Sequence, residues 1–268
     1  MFACVYLWFQ TPSPFKAYSA RKLPLRCYTP CVQSPWYQRA FQSEYLALYA
    51  HRSQEEADAQ VAGLLQSGLL ERKSPLLDLA CGSGRHVQAF RSANLRAWGL
   101  DLSSDLLHGQ HGVVRGDMRN LPFDAARFAT VTSLFTSFGY FESESENVQV
   151  LFEVRRVLRD GGVFLMDHIN PKPTLQGLVS ESHQQVGEAA VTSRRHFDRH
   201  SRRLIKEVEF AKHGQTERWH ESVHIYEPDE LDALLAMAGL FVERRCADFG
   251  AAEFTAQSPR QLVRAVKH

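Results

Sequence analysis

The feature that most constrains the fold is a short apolar run that ends in a glycine-rich turn. Residues 76–80 read Leu-Leu-Asp-Leu-Ala, and Cys-Gly-Ser-Gly follows at 81–84. An apolar run of this length, bounded by glycines, is typical of a buried β-strand. Val87 and Phe90 then recur at helical spacing, so the segment predicts a strand, a tight turn and a helix.

The same alternation recurs along the chain. Apolar runs predict strands at 95–100, 113–114, 129–135, 163–166, 241–246 and 262–266. Helices are predicted over 144–158 and 228–238, and a short one capped by Ser103 is expected between the second and third strands. Strands that alternate with helices imply a doubly wound, mainly parallel α/β sheet covered on both faces.

Two segments depart from this rhythm at the start of the chain. Residues 1–33 are basic, rich in proline and without acidic residues, so we expect an irregular leader, either a wrongly placed start or a transit-like tail. An aromatic stripe from Tyr37 to Tyr49 then predicts one helix, and the capping box at Ser53 begins a second.

A third departure lies at about 174–226. Short alternating runs, such as Leu204, Lys206, Val208 and Phe210, are separated from Val223 and Ile225 by the turn residues 213–215. This pattern favours antiparallel strands over another helical crossover. We therefore expect an antiparallel β-lid inserted into one domain that spans residues 34–268.

Composition narrows the kinds of partner. With 31 basic and 30 acidic residues the net charge is +1, which argues against nucleic acid and favours a small-molecule substrate. No apolar run reaches the ~18 residues that cross a bilayer, so no membrane partner is expected. Five scattered cysteines suit a reducing, cytoplasmic location, and the isolated pair Cys27 and Cys31 predicts no metal site.

The strand ends carry the chemically informative residues. Asp78, Asp101 and Asp117 lie at the ends of the first three strands, where open α/β sheets bind ligands. A dinucleotide site needs a third glycine after Gly82 and Gly84, but Val87 stands there. The residues favour a cofactor with a ribose, an adenine, an ammonium and a sulfonium group, and without phosphate.

Five ordered segments carry a family resemblance. They are LLDLACGSGRH at 76–86, GLDLS at 99–103, RGDMRNLPF at 115–123, FTSFGYF at 135–141 and LRDGGVFLMD at 158–167. Together they resemble the motifs of class I S-adenosylmethionine-dependent methyltransferases. The segments at 222–240 and 248–260 resemble the end of a bacterial small-molecule-type subgroup. The resemblance covers residues 34–268 and implies a Rossmann-like sheet with an antiparallel final strand.

The resemblance also implies roles for individual residues toward S-adenosyl-L-methionine. The methionine part would be held by Asp78, Gly82 and Gly84, and the ribose hydroxyls by Asp101. The remaining implied contacts are Leu102 beside the adenine, Asp117 at its amino group, Met118 at the ring through its backbone nitrogen, and Phe135 at the border of the cofactor.

The acceptor site is less defined. Arg52, Phe138 and Tyr140 are candidates for the substrate pocket, and Tyr140 and His168 are the catalytic candidates, with the general base left unassigned. The expected function is methyl transfer to an unidentified small molecule by a monomer or homodimer. The alternatives are a non-catalytic S-adenosylmethionine-binding regulatory subunit and a nucleotide-dependent oxidoreductase.

Overall fold

The structure, a computed structural model, describes residues 34–268; the leader expected at 1–33 lies outside the described residues. The described part begins with three helices, α1 Trp36–Ala40, α2 Ser43–Leu48 and α3 Gln54–Gln66. The prediction of a single aromatic helix was wrong, because the backbone leaves the helical conformation at Phe41 and Gln42. The stripe still packs: ring centroids of Phe41 and Tyr45 lie 4.9 Å apart.

The remaining elements include one helix, α6 Pro171–Gln176, that the sequence did not predict. In chain order they are β1 Leu76–Leu79, α4 Arg85–Ser92, β2 Ala97–Asp101, β3 Val113–Arg115, β4 Phe128–Ser133, α5 Glu144–Val157, β5 Leu158–Ile169, α6 Pro171–Gln176, β6 Glu181–Val186, β7 Ala189–Asp198, β8 Arg203–Lys212, β9 Gln215–His224, α7 Pro228–Met237, β10 Leu240–Cys246 and β11 Arg260–Lys267.

Seven strands form the main sheet in the order β10-β11-β5-β4-β1-β2-β3. Strand β1 pairs in parallel with β2 on one side and β4 on the other, so the direction of winding reverses there. The last strand, β11, is antiparallel to both β5 and β10. This confirms the predicted doubly wound, mainly parallel sheet with an antiparallel final strand. Its switch point opens between the carboxyl ends of β1 and β4.

The short helix expected after Ser103 does not form. Residues 104–109 are turns, although the Ser103 hydroxyl accepts a hydrogen bond from the Leu106 N–H at 3.2 Å. Gly109 has φ of 75° and ends the segment. The interval leaves room for little more than one helical turn before β3 begins at Val113.

The predicted antiparallel insertion is confirmed as a separate four-stranded sheet in the order β6-β7-β8-β9. Its inner face buries Val191, Val208 and Phe210 against Leu48 of α2. The lid sheet therefore packs on the leading helices.

Apolar residues from both faces of the main sheet form the core. Strands β1 and β4 are buried between α5 and α4, and α5 alone contributes Val150, Leu151, Val154 and Val157. A capping box between Ser143 and Glu146 sets the start of α5. Within residues 34–268, no helix has the length and apolar character needed to cross a membrane.

Candidate cofactor and acceptor site

A cleft of about 1170 Å³, partly open to solvent, lies beyond the carboxyl ends of β1, β2 and β4. All the predicted cofactor residues except Gly84 line it: Asp78, Gly82, Asp101, Leu102, Asp117, Met118 and Phe135. Gly84 instead precedes α4 with φ of 75°, a conformation that glycine adopts without strain. The topology thus brings together residues that are up to 57 positions apart, from 78 to 135.

Asp101 holds the glycine turn. One carboxylate oxygen accepts a hydrogen bond from the Gly82 N–H at 2.8 Å, and the other accepts from the Ser103 N–H at 2.9 Å. Burial raises the pKa of this carboxyl, while these backbone donors act in the opposite direction. The contact with Gly82 joins the turn to the end of β2, a role that the sequence pattern did not indicate.

Asp78 lies deeper, at the end of β1. Its Oδ1 accepts a hydrogen bond from the Thr132 hydroxyl of β4 at 2.6 Å, and the side chain is buried. Burial raises its pKa to about 7, with a further upward contribution from the charge of Asp101 and an opposing effect of the Thr132 bond. A cationic ligand group beside Asp78 would favour the ionised carboxylate.

Asp117 is already paired. Arg119 donates from Nε to both carboxylate oxygens at 3.1 Å and from Nη2 to Oδ2 at 2.6 Å, and it also pairs with Glu146. Partial burial acts to raise the pKa of Asp117, but the bonds and charge of Arg119 outweigh it and the pKa is lowered. Arg119 was missed by sequence reasoning, although its place two residues after Asp117 suits such a pair.

Four aromatic rings, of Phe41, Tyr45, Tyr49 and Tyr140, line the cleft and form what we call the ring cover. Phe41 stacks on Tyr140 with centroids 5.7 Å apart, and Tyr45 and Tyr49 continue the cover at 4.5 Å from each other. The Tyr49 hydroxyl donates to Glu221 of β9 at 3.2 Å and accepts from Lys206 of β8 at 2.6 Å. Lid strands therefore meet the cover through a polar network that the sequence did not predict.

Arg203 of β8 joins the lid to the segment that carries Tyr140. Its buried guanidinium donates to the carbonyls of Gly139, Tyr140 and Phe141 at 3.2, 2.9 and 2.9 Å. It also donates to the Ser222 hydroxyl at 2.7 Å. The position of Tyr140 in the cleft thus depends on the lid.

Arg52 also lines the cleft, as predicted for a pocket residue. Its guanidinium lies 4.0 Å from the centroid of the Tyr49 ring, and Nη1 donates to the Tyr45 hydroxyl at 3.4 Å. Among residues 34–268 it forms no ion pair, whereas the nearby Arg85 pairs with Glu56 at 3.1 Å. Arg52 is therefore the cleft cation with a charge available for a ligand carboxylate.

Phe138 and His168 are not brought to the cleft. Both are buried beside Tyr226, and the His168 Nε2 accepts a hydrogen bond from the Tyr226 N–H at 3.3 Å. The predicted strand ended at Met166, but β5 continues to Ile169. His168 therefore points to the opposite face from Asp167. Burial lowers the pKa of His168 to about 3, so this side chain is a neutral core residue.

Apart from the three aspartates, no side chain that lines the cleft within residues 34–268 is prepared to accept a proton near neutral pH. His86 is bonded to Gln60 at 2.9 Å, and burial together with the charges of Arg85 and Arg52 lowers its pKa to about 3. Burial raises the pKa of Tyr45 to about 12, and that of Tyr140 rises well above its usual value. In the described part of the chain no cluster of three His, Cys, Asp or Glu side chains is placed to hold a metal ion.

The cleft lies at the switch point of a doubly wound sheet, where proteins of this class bind their ligands. Its carboxylates follow successive strands, and Val87 stands where dinucleotide-binding folds have a third glycine. Comparison with known proteins extends this result. A family model described as "Methyltransferase domain" matches residues 76–162.

Two curated relatives match most of the chain. The dTDP-3-amino-3,4,6-trideoxy-alpha-D-glucopyranose N,N-dimethyltransferase of Streptomyces venezuelae is 30% identical over 197 residues, 69% of this chain and 82% of the relative. The dTDP-3-amino-3,6-dideoxy-alpha-D-glucopyranose N,N-dimethyltransferase of Streptomyces fradiae is 29% identical over 193 residues, 66% of this chain and 75% of the relative. The solved structure of the CcbJ methyltransferase from Streptomyces caelestis has the same fold, with a TM-score of 0.70 and 19% identity over 87% of this chain and 99% of that one.

This chain belongs to the S-adenosylmethionine-dependent methyltransferases. It is an enzyme, and its cofactor is S-adenosyl-L-methionine. The predicted family is confirmed, and the alternatives of an oxidoreductase and a non-catalytic subunit are set aside.

Proposed function

We propose that this enzyme methylates the amino nitrogen of a small molecule. The observation that carries the proposal is that, apart from the three aspartates, His86 is the only His, Asp or Glu side chain lining the cleft within residues 34–268, and burial lowers its pKa to about 3. An alcohol must lose a proton of high pKa before it attacks, which calls for a positioned base. An amine needs only its neutral form, which it reaches by releasing a proton to water.

The relatives support an amine acceptor. Both are named for the dimethylation of amino groups on nucleotide-linked sugars. The ring cover formed by Phe41, Tyr45, Tyr49 and Tyr140 suits such acceptors, because aromatic faces attract by about 0.5–2 kcal/mol the positive charge that develops on the nitrogen as it takes up the methyl group. We propose an amino sugar or a similar small amine as the acceptor.

The residues of the cleft match the groups of the cofactor. We propose that Asp101 binds the ribose hydroxyls, Asp117 the adenine amino group and Asp78 the methionine ammonium. Arg52, with no ion-pair partner in residues 34–268, binds the methionine carboxylate. Leu102, the Met118 N–H and Phe135 complete the walls, and Gly82 and Gly84 shape the turn.

When bound, the cofactor supplies a methyl group on a positively charged sulfur. The side chains of this protein bind and orient the cofactor and the acceptor, and they exclude water from the cleft. Holding two reacting atoms in line at ~3–3.5 Å supplies ~7–11 kcal/mol of the barrier without acid or base chemistry. Tyr140, which Arg203 and the lid hold in the cleft, is placed to orient the acceptor.

The test is to identify the product. Purified enzyme is incubated with methyl-labelled S-adenosylmethionine and a small-molecule cell extract, and the labelled compound is analysed by mass spectrometry. We expect the label in an N-methyl or N,N-dimethyl group. A label on oxygen, carbon or sulfur would contradict an amine acceptor.

The cytoplasmic location and the monomeric or homodimeric state stay predictions. Size-exclusion chromatography with light scattering checks the second; a mass above that of two chains would contradict it.

A further inference from the structure

Phe135 and Thr136, just after β4, share an unusual backbone conformation. Both have positive φ, 58° and 59°, in the left-handed region that non-glycine residues rarely enter. A β-branched residue such as Thr136 is an outlier there. Strain of this kind costs about 1–3 kcal/mol per residue and persists only where neighbouring groups hold it.

Asp167 of β5 holds this turn from two sides. Its Oδ2 accepts a hydrogen bond from the Phe135 N–H at 2.9 Å, and its backbone carbonyl accepts from the Thr136 N–H at 3.0 Å. Arg260 of β11 donates to the same Oδ2 at 2.7 Å. Asp167 is fully buried, while the Arg260 side chain is 27% exposed. The ion pair therefore joins two strands to the strained turn.

The turn determines where the Phe135 ring stands. The ring lines the cleft, with the guanidinium carbons of Arg85 and Arg260 at 4.4 and 5.2 Å from its centroid. Phe249 stacks on it at 6.2 Å. Arg260 thus contacts both the carboxylate that fixes the backbone and the ring that this backbone carries.

We propose that Asp167 and Arg260 are positioning residues for the methyl donor. Neither lines the cleft. They act by holding Phe135 as the wall against which the amino-acid part of the cofactor lies. The inference rests on the proposed assignment of Asp78 and Arg52 to the methionine end; the Arg52 guanidinium carbon lies 5.6 Å from the centroid of the Phe135 ring.

Two probes separate this role from a general loss of structure. S-adenosylhomocysteine carries the amino-acid part, and 5′-deoxy-5′-methylthioadenosine keeps the adenosine but lacks that part. Isothermal titration measures both dissociation constants for the wild type, Arg260→Gln, Arg260→Lys and Asp167→Asn. Thermal unfolding monitors the fold of each.

For Arg260→Gln we expect S-adenosylhomocysteine to bind about tenfold more weakly, the loss of roughly one good contact. The binding of methylthioadenosine should stay within about twofold of the wild type, a change too small to represent a lost contact. Arg260→Lys should restore part of the lost affinity, because it keeps the positive charge beside Asp167. Asp167→Asn should behave like Arg260→Gln; if it does not fold, the two Arg260 variants decide the matter.

Arg264→Gln is the matched control. Arg264 lies on the same strand and pairs with Glu71 at 2.9 Å. This change should lower the melting temperature but leave the ratio of the two affinities unchanged. Equal weakening of both probes in Arg260→Gln, or no weakening, would overturn the proposal. A wild type that binds both probes equally would instead refute the assignment of the methionine end on which it rests.

Discussion

At the residue scale, Asp101 combines two tasks. Its carboxylate fixes the glycine turn through Gly82 and Ser103, and on our proposal it also accepts bonds from the ribose. Asp101→Ala should weaken S-adenosylhomocysteine binding by ~1.5–3 kcal/mol, the range for a hydrogen bond to a charged acceptor. Calorimetric titration measures this loss of affinity.

Asp105→Ala, at an exposed site four residues on, is the control and should leave the dissociation constant unchanged. An unchanged dissociation constant in Asp101→Ala would remove this residue from the site.

Asp78 should make cofactor binding depend on pH. Its pKa of about 7 lies above its ordinary value, so below pH 7 the free protein holds this carboxyl mainly protonated. A bound ammonium favours the charged form, so binding must release the proton and weakens as pH falls below 7. Titrations of S-adenosylhomocysteine at pH 6.5 in buffers of different ionisation enthalpy should show proton release.

Asp78→Asn should abolish that proton release and flatten the dependence of affinity on pH between 6 and 8. Proton release of the same size in this variant would mean that another group titrates. His86 is a poor substitute, because its pKa lies near 3.

The sequence predicted the carboxylates of the cleft but not their partners. Asp78 and Asp101 follow from the position of strand ends, which hydrophobic patterns reveal. The bond of Asp78 to Thr132 and that of Asp167 to Phe135 join residues more than 30 positions apart, so they depend on strand order and register. Phe138 was misplaced because it lies in the irregular segment after β4, where no periodicity indicates which side chains face the cleft.

At the scale of elements, the lid depends on Arg203. Replacing it by Gln removes the charged donor from the carbonyls of residues 139–141, which keep only the bonds from His224, Trp36 and Asn147. We expect the free energy of unfolding to fall by about 3 kcal/mol, because hydrogen bonds to a charged group contribute ~1.5–3 kcal/mol each and part of the loss relaxes. Urea denaturation measures it.

The neighbouring Arg202 supplies the control, because its partly exposed side chain pairs with Glu230. Arg202→Gln should cost less than about 1 kcal/mol, as exposed ion pairs do. Equal losses in the two variants would show that the buried carbonyl contacts of Arg203 contribute no more than a surface pair.

The type of an element was predictable where the hydrophobic pattern repeated several times. The lid strands and α5 show their periodicity clearly, and the capping residues mark where helices begin. The aromatic segment misled because a stripe at helical spacing also persists across the break at Phe41 and Gln42. The length of β5 was underestimated because His168 and Asp167 are polar residues within a buried strand.

At the scale of the whole molecule, the cofactor should stabilise the fold. S-adenosylhomocysteine at one hundred times its dissociation constant adds ~2.7 kcal/mol, which corresponds to a rise in melting temperature of roughly 5–10 °C. Differential scanning fluorimetry checks this, with NADH at the same concentration as the control. A rise with NADH and none with S-adenosylhomocysteine would contradict the cofactor assignment.

The alternation of strands and helices predicted the parallel part of the sheet. Connections between parallel strands are almost always right-handed, so few topologies are compatible with that order of elements. The place of β11 between β5 and β10 does not follow from periodicity, and neither does the packing of the lid on α2. Both are set by contacts between segments that are distant in the chain.

The order of these parts along the chain has an evolutionary consequence. Every predicted cofactor residue lies between Asp78 and Phe135, whereas the first lid strand begins only at Glu181. A mutation, insertion or exchange within the lid therefore leaves the donor pocket's own residues untouched. Descendants of one ancestral gene can diversify in the compounds they modify while all keep the same source of methyl groups.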